Sequence, residues 1–239
     1  MRALELYREG RLDEAIENLT SQVRSDPTEG RLRTFLFELL CFAGDYDRAE
    51  KQLDVLGRSG GDAAAGALVY RSALAAERAR QALFAGSGLP PSTSSAPEVG
   101  GALNGSAFRS IADADERIGP RLEVFAGGQY MWIPFAHVSS VRMEAPRRLR
   151  DLLWIPAHLT AGPELGDAEL GEVLLPALCA GTWGHPDPLV RLGRQTEWQV
   201  GDDGAPVPLG QTLLVVDGED FPILEVRELS LAPVASAES

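Results

Sequence analysis

Between Leu12 and Val23 the apolar residues fall at Leu12, Ala15, Ile16, Leu19 and Val23, the i, i+3, i+4, i+7 spacing of a single helical face. Asp26-Pro27-Thr28-Glu29 then reads as a helix start, with Asp26 as N-cap and Pro27 in the first turn. The helix it opens carries Leu32, Phe35, Leu36, Leu39, Leu40 and Ala43 on one face, and Phe37, Cys41 and Phe42 on a second. A helix that is apolar on two faces is sandwiched between neighbours. Gly44 supplies a left-handed stop, Asp45 caps the next helix, and Tyr46, Ala49, Leu53 and Leu56 form that helix's inner stripe. A further, alanine-dense helix is predicted from about Asp62 to Phe84, with Ala64, Leu68, Ala75, Ala79 and Leu83 inward. That face reads as solenoid core, or alternatively as a shallow docking groove.

The helical pattern repeats. Leu6 matches Leu40, Gly10 matches Gly44, Leu12 matches Tyr46, Asp13 matches Asp47, Ala15 matches Ala49 and Leu19 matches Leu53, each at an offset of 34 residues. That is the period of a tetratricopeptide helix–turn–helix, so residues 1–85 are expected to form such repeats.

Residues 86–106, rich in Gly, Ser and Pro, read as a flexible linker, and a short joint helix is expected from about Ala107 to Arg117. Past Pro120 the period changes to alternation. Leu122–Phe125 and Tyr130–Ile133 flank Gly127-Gly128 as a hairpin. Further strands are expected at 138–143, 151–160, 171–176, 195–200, 211–217 and 221–228, the last two joined by a turn at Asp217-Gly218. Pro134, Pro156 and Pro176 are expected at edges or strand ends, because proline cannot donate to a ladder. The expected fold class is therefore α+β: tetratricopeptide-like hairpins, then a small antiparallel β-rich domain over 107–233, curved or closed into a barrel. Residues 234–239 read as a disordered tail.

Composition narrows the function. Acidic residues outnumber basic ones, 35 to 22, for a net charge of −13. Such a surface repels phosphate backbones and anionic bilayers, so neither nucleic acid nor membrane is an expected partner. The first nine residues are charged and lack the apolar stretch of a signal peptide, and no apolar run reaches membrane-spanning length; the expected compartment is the cytoplasm. Cys41 and Cys179 form no CxxC pair and read as small buried hydrophobes more readily than as redox or nucleophilic thiols.

Candidate chemistry is sparse. His137, His158 and His185 are too far apart for a local metal pair. The run Asp113-Ala114-Asp115-Glu116 is the densest carboxylate cluster near aromatic residues. It suits a divalent cation or acid–base work, or more plainly an interdomain joint with Arg109, Arg117 or Arg121 as ion-pair partners. No phosphate-binding or nucleophile-elbow motif is present. Tyr130, Trp132, Phe135, Trp154 and Trp183 serve either a small β core or a recognition patch.

The stretch Asp113-Ala114-Asp115-Glu116-Arg117-Ile118-Gly119-Pro120, followed by Tyr130, Trp132-Ile133-Pro134, Leu149-Arg150-Asp151-Leu152 and Trp154, resembles the signature of the ImpE (TagJ, SciE-type) family of type VI secretion gene sets. The block departs from the family pattern at Glu116, and the helical pair that relatives carry before the Asp-rich joint is replaced by residues 86–106. The resemblance implies a non-enzymatic accessory protein without a cofactor. Its implied partners are the small subunit of the contractile sheath and the hexameric AAA+ ATPase that disassembles contracted sheaths. The signature residues Asp113, Asp115, Arg117, Gly119, Pro120, Tyr130, Trp132, Pro134, Arg150, Asp151 and Trp154 read as framework. Two other readings compete: a generic tetratricopeptide scaffold for an unrelated peptide, and a metal-dependent enzyme using Asp113, Asp115 and a histidine.

Overall fold

The computed structural model describes residues 2–58, 60–86, 89–90, 99–162, 169–201 and 204–233. Five helices come first: α1 (Arg2–Arg8), α2 (Leu12–Ser25), α3 (Gly30–Phe42), α4 (Tyr46–Gly57) and α5 (Gly61–Ala85). They pack in chain order, each against the next, except that α5 also lies on the sheet. The predicted stripes of α2, α3 and α4 are the buried ones. Gly10 and Gly44, equivalent in the repeat, both adopt left-handed backbone, at φ +80° and +69°. Asp45 caps α4 by accepting from the Arg48 N–H at 3.3 Å. At the start of α3 the cap is Glu29, which accepts from the Arg31 N–H at 2.9 Å; Asp26 instead ends α2 and binds the Thr28 hydroxyl.

The face of α5 differs from the predicted one. Ala67, Ala73, Leu74, Ala76, Glu77 and Arg80 are buried, whereas Leu68 is 68% exposed and Ala75 and Ala79 face outward. Apolar patterning pointed the wrong way because the inward stripe carries two charges whose partners lie on the sheet.

Thirteen strands, all paired antiparallel, follow among the described residues. β1 is Val99–Leu103, β2 Ser106–Phe108, β3 Ile111–Asp113, β4 Arg121–Ala126, β5 Gln129–Pro134, β6 Val138–Met143, β7 Trp154–Ala161 and β8 Glu169–Pro176. β9 is Glu197–Val200, β10 Pro206–Leu209, β11 Leu213–Val216, β12 Glu219–Pro222 and β13 Glu228–Pro233, with a short helix α6 (Pro188–Arg191) before β9. Eight strands form one sheet in the order β2-β1-β13-β6-β7-β8-β4-β5; β12-β11-β3 and β10-β9 form two small ones.

The end of the predicted linker is a hairpin. Asn104 and Gly105, at φ +48° and +86°, make the two-residue turn between β1 and β2. A Cβ on Gly101 would stand 2.0 Å from the Ser230 carbonyl oxygen, so glycine there permits the close approach of β1 to β13 that flexible-linker composition disguised. Residues 87–88 and 91–98 of that linker and the 234–239 tail lie outside the described residues. The predicted joint helix is likewise absent: β2, β3 and a tight turn occupy 106–119. Asp113 Oδ1 accepts from the Asp115 N–H at 2.8 Å, and Asp115 Oδ1 from the Arg117 N–H at 3.0 Å. Aspartates that bind backbone two residues ahead compete with helix formation.

Pro134 and Pro176 close their strands as expected, but Pro156 lies inside β7, between β6 and β8. It is tolerated because the β6 ladder stops at Met143↔Ala157, one residue short of it. The predicted strand at 151–160 begins only at Trp154, after a 3₁₀ turn at Leu149–Leu152. Another 3₁₀ turn, Ile223–Glu225, divides the one predicted at 221–228 into β12 and β13.

β4 separates two cores. Leu122 and Val124 join the β-domain cluster with Phe135, Val141 and Leu175. Phe125, with Trp154 and Leu153, joins the helical cluster. Burying a large apolar side chain contributes roughly 1.5–3 kcal/mol, so these shared residues bind the two halves together.

Candidate functional site at the joint

The charged stripe of α5 meets β4 and β5. Arg80, 1% exposed, donates from Nε and Nη2 to the two carboxylate oxygens of Glu123 at 2.7 and 2.6 Å. Tyr130 O–H donates to Glu123, and Trp132 Nε1–H donates to the Tyr130 oxygen. One helical turn back, Glu77 accepts from Trp154 Nε1 at 3.0 Å and from Gln81 Nε2 at 2.6 Å. The Gln81 oxygen accepts from Trp183 Nε1 and from the Gly181 N–H, both at 3.1 Å. Phe84 closes the stripe, with the Arg117 guanidinium 4.8 Å from its ring centroid and Trp132 at 6.0 Å. One helix face thus holds β4, β5, β7 and the loop after β8 through hydrogen bonds that are buried at Arg80–Glu123 and Glu77–Trp154 and reach the surface at Trp183.

Electrostatics follow from enclosure. Burial would lower the Arg80 guanidinium, but Glu123 and Glu77 overcome it and hold it well above the usual range. The Asp113 carboxyl is pushed well upward, first by burial and then by Glu123. Burial, then Glu123, also raises the Tyr130 phenol. Asp115 forms a forked pair with Arg117 at 2.8 and 2.6 Å, which makes Arg117 the ion-pair partner that the acidic run called for. Arg121 instead caps the turn, donating to the Ile118 carbonyl at 2.6 Å and lying 4.2 Å over Trp132, and Arg109 gives its backbone N–H to Asp217. Gly119 takes φ +63° in that turn and the Pro120 carbonyl accepts from the Phe135 N–H, just past Pro134, at 3.0 Å. Among the described residues no cluster of three His, Cys, Asp or Glu side chains has metal-holding geometry.

The loop after β8 also grips both repeat turns. A Cβ on Gly10 would stand 2.6 Å from Leu189, and one on Gly44 2.6 Å from Trp183. Arg194 donates to the Tyr7 and Arg8 carbonyls at 2.7 and 2.9 Å, ending α1, and Arg191 pairs with Asp13 at 2.6 Å.

The remaining signature residues, Arg150 and Asp151, directly follow Leu149, which lines a surface groove. Asp151 Oδ2 accepts from the Arg147 and Arg148 N–H groups at 2.9 and 2.8 Å, fixing the 3₁₀ turn. That turn sets Arg150 4.5 Å over the Tyr70 ring and 3.9 Å from Glu38 on α3. Leu149, Leu4, Tyr7 and Phe35 line the groove, about 590 Å³ and largely apolar, between α1 and α3, with Glu38 at its floor. Of the aromatics, Phe135 and Trp154 are core, Tyr130 and Trp132 half-buried, and Trp183 44% exposed. Sequence reading missed Glu38, Glu77, Arg80, Gln81 and Glu123. Their available signal was charge at positions flanked by apolar neighbours, as in Leu122-Glu123-Val124.

A family model described as ImpE protein matches residues 105–230, more than half of the chain. The chain belongs to the ImpE family. A tetratricopeptide-repeat model matches residues 6–72, as the 34-residue offset indicated. This ImpE protein is 38% identical to the type VI secretion system accessory component TagJ of Pseudomonas aeruginosa, over 98% of its own length and 92% of that protein. The alignment spans 266 positions, more than the 239 residues here, so the Pseudomonas protein carries inserted residues. The crystal structure of VPA1032 from Vibrio parahaemolyticus superposes over the whole of both chains with a TM-score of 0.86 at 23% identity, which establishes the shared fold. No described helix is long and apolar enough to cross a membrane.

Proposed function

We propose that this ImpE protein is a cytoplasmic, non-enzymatic accessory adaptor of a type VI secretion system, binding the small sheath subunit, the sheath-disassembling AAA+ ATPase, or both. The observation that carries the reading is the 38% identity to the accessory component TagJ across 98% of the chain. The architecture supports it. The buried charges of the joint satisfy one another and hold two halves in fixed relation, which suits a rigid platform. An apolar groove lies on the first helices of the repeat, the kind of surface into which a partner segment can lay its apolar face. Energy for sheath disassembly comes from the ATPase, so the adaptor itself needs no cofactor.

The test is co-purification of the full chain with each candidate partner from the same genome, followed by titration calorimetry. Micromolar or tighter binding to one of them is expected. No binding to either at 50 to 100 times that concentration, about 3 kcal/mol weaker, removes the reading.

A further inference from the structure

The joint network accounts for the buried charges of α5, but Glu38 stands apart from it. Its side chain is 9% exposed and lies at the floor of the groove between α1 and α3. Among the described residues the cation within ion-pair range is Arg150, whose Nη1 is 3.9 Å from Glu38 Oε1. That separation is too long for a hydrogen bond. Arg150 also lies over the Tyr70 ring and lines an adjoining cavity with Phe37, Leu53 and Tyr70, whereas Glu38 lines the groove; Thr34 and Leu56 border both. The Arg150 Nε is itself buried without a hydrogen-bond partner among the described residues. Buried carboxylates in stable structures accept hydrogen bonds, because an unsatisfied one forfeits its hydration. Glu38 therefore presents acceptor capacity to whatever enters the groove.

We propose that the groove receives an apolar segment of a partner protein that carries one basic side chain, and that Glu38 selects this segment by accepting the N–H donors of its ammonium or guanidinium group. The apolar walls, Leu4, Tyr7, Phe35 and Leu149, take the segment's hydrophobic positions. The rim is balanced, Glu29 against Arg31, so the floor decides the preference. The net charge of −13 draws cationic segments toward the protein. Charge-assisted hydrogen bonds in such a sheltered site are the strong ones. The inference rests on the adaptor reading for its candidate partners.

The test uses overlapping 15-residue peptides spanning the small sheath subunit and the disassembly ATPase of the same genome, probed with the full chain. Binding peptides are expected to hold a Lys or Arg among apolar residues. Exchange of that residue for norleucine should weaken wild-type binding at least tenfold, and Glu38→Gln should weaken the parent peptide equally. The two changes together should cost little more than either alone. Leu4→Arg, which fills the groove while leaving Glu38 in place, should abolish capture and keeps the test decisive if Glu38→Gln fails to fold. Full-length partners bound equally by wild type, Leu4→Arg and Glu38→Gln would overturn the groove assignment while leaving the adaptor reading intact. Loss with Leu4→Arg but not with Glu38→Gln or norleucine would overturn the role of Glu38. Failure of wild type to bind either full-length partner would remove the adaptor reading and this inference with it.

Discussion

Arg80 and Glu123, 43 residues apart in the chain, form a forked ion pair with both side chains at most 3% exposed, and it joins the last repeat helix to the sheet. Removing one partner strands the other charge away from water. Arg80→Met is expected to destabilise the protein by about 3–5 kcal/mol, read as a lower urea midpoint. Combining it with Glu123→Leu should recover a large part of the loss. A double-mutant cycle showing purely additive losses would contradict the pairing.

Glu38 makes stability depend on pH with an unusual sign. Burial, opposed by Arg150 and reinforced by Asp151, raises its pKa from 4.5 to about 7. Between those values the folded state holds a proton that the unfolded chain has released, so its contribution falls as pH rises and levels off above about 7. Glu38→Gln removes this dependence. The stability difference between variant and wild type should shift in the variant's favour by up to about 3 kcal/mol from pH 4.5 to 7.5, measured by urea unfolding across pH.

The two repeat glycines are expected to resist substitution. Gly44→Ala places a Cβ in left-handed backbone and 2.6 Å from the Trp183 ring. Backbone strain alone costs about 1–2 kcal/mol, and displacing the indole also breaks its bond to Gln81. Thermal unfolding should drop by several degrees, with a change in tryptophan emission. Gly10→Ala, against Leu189, should lower the midpoint without the spectral change.

Cys41 and Cys179 are both buried, and burial, ahead of neighbouring carboxylates, raises both thiols. Neither should react with iodoacetamide at pH 8 in the folded protein, and both should react in 6 M guanidinium. Fast alkylation of either under native conditions would revive a nucleophilic reading.

Trp154→Phe keeps an aromatic ring, though a smaller one, and removes the donor to Glu77 Oε2. An enclosed carboxylate left short of one bond costs about 1–3 kcal/mol. Glu77→Gln in the same background should restore part of it, measured by calorimetric unfolding.

The local elements were legible in the chain by itself. The 34-residue offset located α1 to α4 and their turn glycines, because a helical hairpin repeats its packing stripe and its left-handed stop together. Alternation around Gly127-Gly128 located β4 and β5, because a two-residue turn and period-2 burial are both local properties. The β1–β2 hairpin escaped notice although Asn104-Gly105 marks it, since its strands are Gly- and Ala-rich and gain their burial only by pairing with β13, about 130 residues away. The inward face of α5 was decided only in three dimensions. Apolar periodicity assigns charged positions to solvent, yet Glu77 and Arg80 turn inward because Glu123, Trp154 and Tyr130 wait on strands the helix pattern does not contain. A short-range pattern records which residues avoid water, whereas the pairing of buried charges depends on partners that only the folded chain brings together.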